Sequence, residues 1–155
     1  MNDIFIEHDL KESLIKLNPE INKDNSLADE VIHKLKTILV SVKQVGLVKS
    51  NEEFFEWLQG NKTMPFGENN QHIPIRLIDF DNLSNNSFII TNQFKIQHSE
   101  LKIPDIVMLI NGIPIVVGEA KTPIRPAISW LDGAHEIHDI YENAVPQLFV
   151  PNILS

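Results

Sequence analysis

The chain has 155 residues, 43% of them hydrophobic and 22% charged, with a net charge of −8 and no cysteine. That length buries the core of one domain without help from disulfides or structural metal, and the missing cysteines exclude a disulfide framework and any thiolate metal site. The negative balance excludes a module that grips nucleic acid unaided, because neutralising phosphates takes clustered Lys and Arg; it is compatible with an acidic cleft in which a divalent cation supplies the positive charge.

The opening MNDIFIEHDLKES is acidic where a signal peptide is basic and then apolar. The longest apolar runs, Ile106–Ile110 and Ile113–Val117, are strand-sized and too short to span a membrane. A folded cytoplasmic chain is the expectation.

In chain order, Phe5, Ile6, Leu10, Leu14 and Leu17 predict a helix closed by Pro19. Ser26, as N-cap ahead of Asp29 and Glu30, opens a second helix with Val31, Leu35, Ile38, Leu39 and Val42 on one stripe and Gly46 at its end. A capping box of Ser50 and Glu53 begins a third, short helix that buries Phe54, Trp57 and Leu58 and stops at Gly60. Residues 61–72, with Pro65, Gly67 and the pair Asn69-Asn70, read as a loop. The period then changes to two. Ile75, Leu77 and Asp79 alternate with Arg76, Ile78 and Phe80 as a strand, and after a turn-rich stretch Phe88, Ile90, Phe94 and Ile96 share one strand face. Two more strands, Asp105–Ile110 and Ile113–Lys121, meet at Asn111-Gly112, a strong hairpin signal. Pro126 opens a helix towards Asn143, weakened at Gly133, and Leu148–Leu154 reads as a strand cut short, so the chain is expected to be part of a larger polypeptide. The expected architecture is one α/β domain over residues 1–155, helical in 1–60, with a mixed, mainly antiparallel central sheet flanked by helices in 73–155.

The chemistry concentrates in Pro104-Asp105 and Glu119-Ala120-Lys121, charged residues at the ends of two apolar strands, where they are costly unless paired, solvated or bound to metal. Glu119 and Lys121 project from one strand face about 7 Å apart. Asp105 joins them only under a register condition. A plain two-residue turn at Asn111-Gly112 places Asp105 opposite Gly118 and away from Glu119; a three-residue loop, or a compensating bulge in one strand, brings Asp105 onto the face of Val117, Glu119 and Lys121. Assembled, Asp105 and Glu119 hold Mg²⁺ with the Ala120 carbonyl as a further ligand, and Lys121 orients the nucleophile for phosphodiester hydrolysis. The competing reading of Glu119 and Lys121 is a surface pair of little consequence. A second triplet, Glu100-Leu101-Lys102, lacks an upstream Pro-Asp strand and reads as a solvated strand end.

The runs RLIDFDNLSNNSFIITNQF (76–94), PDIVMLINGIPIVVGEAK (104–121) and IYENAVPQLFVPN (140–152) resemble the amino-terminal region of type I restriction enzyme R subunits. The resemblance implies a restriction-endonuclease-like PD-(D/E)xK core, Mg²⁺ dependence, double-stranded DNA as substrate and an ATP-driven motor further along the polypeptide. It also implies partnership with methylation and specificity subunits. Asp105, Glu119 and Lys121 carry over as catalytic residues. Tyr141 matches an accessory position, whereas the Gln that members place four residues earlier is Ile137 here, leaving His138 or Glu136 as substitutes. An acidic residue of the first helix approaches the metal in such nucleases, with Glu12 the candidate and Glu7 in reserve. Other PD-(D/E)xK nucleases (resolvase-like, repair or RNA-cleaving) and a non-catalytic assembly module are the alternatives.

His135 and His138 lack a third ligand and read as surface or hydrogen-bonding residues. Asp79 and Asp81 read as turn and capping residues. Arg125, ahead of Pro126, is a candidate phosphate contact at a helix start, against plain surface solvation. Trp57, Trp130 and Phe149 read as core.

Overall fold

A computed structural model of the chain describes residues 4–92, 94–97, 101–120 and 130–153. The first half is helical: α1 (Glu7–Leu17), α2 (Pro19–Lys23), α3 (Ser26–Val45) and α4 (Leu47–Leu58). Pro19 both ends α1 and opens α2, since a residue without an N–H cannot continue a ladder but fits the first helical position. Ser26 is the first residue of α3 and not its cap. The cap position is Asn25, whose side chain makes no cap bond, and Asp24 Oδ1 accepts from the Ser26 backbone N–H at 3.0 Å and hydroxyl at 2.6 Å. The stripe Val31, Leu35, Ile38, Leu39 and Val42 is buried as expected. The capping box at Ser50 does not form, because Gly46, at φ +88°, reverses the chain so tightly that α4 starts at once. Ser50 therefore lies inside the helix, buried, with its Oγ 3.5 Å from that of Ser41 on α3.

Within the segment expected to be a loop, β1 (Thr63–Met64) pairs antiparallel with β2 (Ile73–Pro74). The strand expected at 75–80 is absent, although Ile75, Leu77 and Asp79 are buried. Side-chain amides replace the ladder. Asn18 Oδ1 accepts from Arg76 N at 2.8 Å and its Nδ2 donates to Arg76 O at 2.9 Å, while Asn111 Nδ2 donates to Leu77 O at 2.8 Å. Backbone groups satisfied this way need no partner strand.

Asp79 and Asp81 are turn residues as anticipated. The Asp79 carboxylate accepts from Asn85 Nδ2 (2.8 Å) and from the N–H groups of Asp81 and Asn82 (3.0 Å each). The Asn85 amide first, and the Asn82 N–H next, hold its carboxyl below the ordinary range. A folded-state value below the unfolded one stabilises the fold above the unfolded value, and that stabilisation is lost as pH falls through the lowered value. Asp79→Asn is thus expected to lower the denaturation midpoint at neutral pH, with the gap closing below about pH 4. A gap that stays constant into acid would count against this account.

The main sheet is antiparallel with strand order β3-β6-β7, comprising β3 (Phe88–Asn92), β6 (Ile106–Ile110) and β7 (Ile113–Gly118); β4 (Ile96–Gln97) and β5 (Leu101–Lys102) form a separate pair. Phe88 and Ile90 share one strand face as expected, but Ile96 does not join them: they are 58% and 71% exposed while Ile96 is buried. β3 and β4 belong to different sheets, so side-chain parity is not transmitted between them. The inner face of the main sheet, Val107, Leu109, Ile113, Ile115 and Val117, joins one core with residues of α1, α3 and α4.

The C-terminal part consists of α5 (Trp130–His135), a π-helical turn (Glu136–Tyr141), α6 (Glu142–Ala144) and α7 (Pro146–Phe149). Residues 126–129 of the anticipated helix lie outside the described residues. The expected closing strand is not one: Pro146 begins a short helix whose Gln147, Leu148 and Phe149 are buried. Among the described residues its single trace of pairing is the bond from Ile153 N to Ile115 O, 3.0 Å.

Candidate active site

The site grows out of the β6–β7 hairpin. Asn111 and Gly112 have φ of +52° and +78°, so the connection is a two-residue turn with both central residues left-handed. Next to it Ile110 pairs with Ile113 and Leu109 with Pro114, the register that sends Asp105 away from Glu119. Past Met108 the register shifts: Met108 pairs with Val116, Val107 with Val117 and Ile106 with Gly118, leaving Ile115 as an extra residue. The compensating bulge, and not a longer loop, is what occurs. Two local causes are visible. Pro114 brings no N–H to the ladder, and the Ile115 carbonyl is satisfied by Ile153 N. Proline inside an apolar strand was the available sequence signal for this bulge.

One step beyond the buried pair Val107 and Val117, the shifted register turns Asp105 and Glu119 to the same side of the sheet. Asp105 Oδ2 accepts from the Ala120 N–H at 2.9 Å, which ties the two strand ends together. From the π-helical turn, buried Tyr141 donates its hydroxyl to Ile103 O at 3.3 Å and faces the Glu119 carboxylate. Among the described residues Glu119 Oε1 nevertheless has no hydrogen-bond partner, and it has no solvent access. Burial, then the neighbouring Asp105 charge, push the Glu119 carboxyl above its usual range, with the Tyr141 hydroxyl pulling the other way and Glu136 adding repulsion. Burial first, and Glu119 next, push the Tyr141 hydroxyl up as well.

Two convergent carboxylates, one with a buried orphaned oxygen, call for a proton or a cation. Their donors are hard oxygens, which suits Mg²⁺. Among the described residues, no group of three or more His, Asp or Glu is assembled closely enough to hold a metal alone.

The other expected residues divide clearly. Lys121 and Arg125 lie outside the described residues, as does Glu100 of the second triplet. Glu12 is not brought to the pair. It lines a polar cleft with Asp9, Lys16, Asn85, Asn86 and Ser87, and Ser87 N bonds to Asn111 Oδ1 at the hairpin turn. That is the opposite end of β6 from Asp105, about 17 Å away at the usual rise per residue. Glu7 is paired with Lys36. His135 pairs with Asp139 and His138 with Glu142 on the exposed helix surface, as their plain reading anticipated. Trp57 and Phe149 are core residues. Of the two substitutes considered for the Ile137 position, Glu136 is the one whose charge reaches Glu119.

The family model described as "Type I restriction enzyme R protein N terminus" matches residues 2–155. The chain is 30% identical over 154 residues to the type I restriction enzyme HindI endonuclease subunit of Haemophilus influenzae, covering 96% of this chain and 14% of that protein. It is 29% identical over 146 residues to a putative type I restriction enzyme MjaIXP endonuclease subunit of Methanocaldococcus jannaschii, covering 90% of this chain and 14% of that protein. The chain therefore spans a small part of the length of these relatives. No solved structure matches it.

Proposed function

The chain belongs to the type I restriction enzyme R protein N-terminal family, and from that premise we propose that it is the Mg²⁺-dependent endonuclease domain of a type I restriction endonuclease subunit, built on a PD-(D/E)xK core. The observation that carries this reading is the bulge at Ile115, which turns Asp105 and Glu119 to one side of the sheet end and leaves a buried Glu119 oxygen without a partner. Asp105 and Glu119, with the Ala120 carbonyl, would hold the ion. When bound, Mg²⁺ supplies charge neutralisation at the scissile phosphate and a more acidic water. Tyr141 keeps the Glu119 carboxylate in place from the helix side, and Lys121 orients the attacking water and offsets negative charge on the phosphate.

The substrate in this reading is double-stranded DNA, delivered by an ATP-driven motor in a longer polypeptide of the kind the relatives represent. Methylation and specificity subunits complete the assembly. They would also answer the charge problem, because a chain of net charge −8 needs a partner to hold a polyanion. No helix among the described residues is long and apolar enough to cross a membrane.

Tyr141 is the sole tyrosine and so reports on the site without interference. Titration with Mn²⁺, followed by NMR, is expected to broaden its ring resonances in the parent chain and to leave them sharp in Glu119→Gln. Broadening that persists in the variant would place the ion elsewhere and remove the proposal.

A further inference from the structure

Among the described residues, Glu136–Tyr141 is the one stretch with π-helical winding. Such turns are rare and occur often at functional sites. Its inner side is fixed by buried Ile137 and Tyr141, which are spaced to anchor the turn in the core. In a helix of 3.6 residues per turn, Glu136 would stand about 140° around from Tyr141, well off its face. The wider i→i+5 winding brings residues five apart to one side. Glu136 is accordingly half-buried, whereas His135, His138 and Asp139 around it are exposed. Tyr141 is itself bonded to Ile103 O, two residues before Asp105. The winding thus turns Glu136 to the side of Tyr141, the residue that faces the Glu119 carboxylate, and its charge adds to the upward push on both groups.

We propose that Glu136 is a third acidic residue of the Asp105–Glu119 site, held there by the π-helical turn, and that it strengthens divalent-cation binding through the ion's water shell. A direct ligand role does not fit, since no trio of acidic side chains is assembled among the described residues. An outer carboxylate acts by charge and by accepting hydrogen bonds from water on the ion, and Mg²⁺ keeps several such waters. This inference rests on the metal-dependent reading above, and it adds a residue that the Pro-Asp and Glu-x-Lys pattern does not contain.

The test is calorimetric titration of the 155-residue chain with Mg²⁺, in the parent, E119Q, E136Q and E136D, with thermal melts in EDTA and in Mg²⁺. Binding in the parent, its loss in E119Q, roughly tenfold or greater weakening in E136Q and recovery in E136D are expected. In EDTA, E136Q should melt close to E136D, so that weaker binding is read apart from any change in the stability of the fold. Parental affinity in E136Q would overturn the role of Glu136 and leave the metal site standing. A lower melting point in EDTA with unchanged affinity would mark a structural residue and overturn it equally. A parent chain that binds neither Mg²⁺ nor Mn²⁺ would remove the metal reading and this inference together.

Discussion

In the assembled restriction complex, Glu119→Gln and Lys121→Ala are each expected to lower plasmid strand breakage by roughly 10²–10³-fold or more, with ATP hydrolysis and translocation unchanged. Glu119 faces Asp105 across the strand ends and has a buried oxygen that none of the described residues satisfies. Burial beside the Asp105 charge disfavours its charged form, and the isosteric amide removes the carboxylate proposed to hold the cation while keeping an oxygen that can accept from Tyr141. Lys121 is proposed for the positive charge that Asp105 and Glu119 cannot supply to the water and the phosphate. Because the motor lies elsewhere in this reading, its rates separate a lost nuclease step from a misfolded subunit. Cleavage at the parental rate in either variant, with the complex intact, would show that these residues do not carry the chemistry.

Gly112→Ala is expected to destabilise the chain by about 3 kcal/mol or more, from a left-handed residue that gains a Cβ and a displaced backbone contact. The melting temperature should fall by roughly 6–12 °C for a domain of this size. Gly112 has φ +78°, and an added Cβ would sit 2.4 Å from Ile6 O and 2.9 Å from Leu10 N, both backbone atoms of the α1 start. Neither can yield unless the helix moves, and Ile6 N also donates to Gly112 O at 2.9 Å. Gly60→Ala is the matched control. Gly60 has φ +76°, but its nearest neighbour would be 3.9 Å from the new Cβ, so only the left-handed penalty applies, about 1–2 kcal/mol. Equal losses in the two variants would mean that the hairpin turn is not clamped against α1.

Local chemistry made much of this protein legible before any coordinates. The stripe of α3, the reversal at Gly46, the Asn111-Gly112 turn and the turn roles of Asp79 and Asp81 all depend on neighbours a few residues away, and each is where the residue pattern puts it. Periodicity was less informative where burial and backbone pairing separate. Residues 75–80 alternate like a strand, yet Asn18 and Asn111 from distant segments supply their hydrogen bonds. Phe88 and Ile90 follow a strand pattern but lie on the open face of the sheet.

Sequence by itself named the side chains proposed for the site, Asp105, Glu119 and Lys121, and the single condition on which the meeting of Asp105 and Glu119 depends. Tertiary structure alone decided that Asp105 and Glu119 meet, because the two-residue turn sets one register and the bulge at Ile115 resets it with the help of Ile153, a partner far along the chain. It also decided that Glu12 stays at the hairpin end and that Glu136 turns to the side of Tyr141, since helix docking and π-helical winding arise from packing between segments and leave no mark in local spacing.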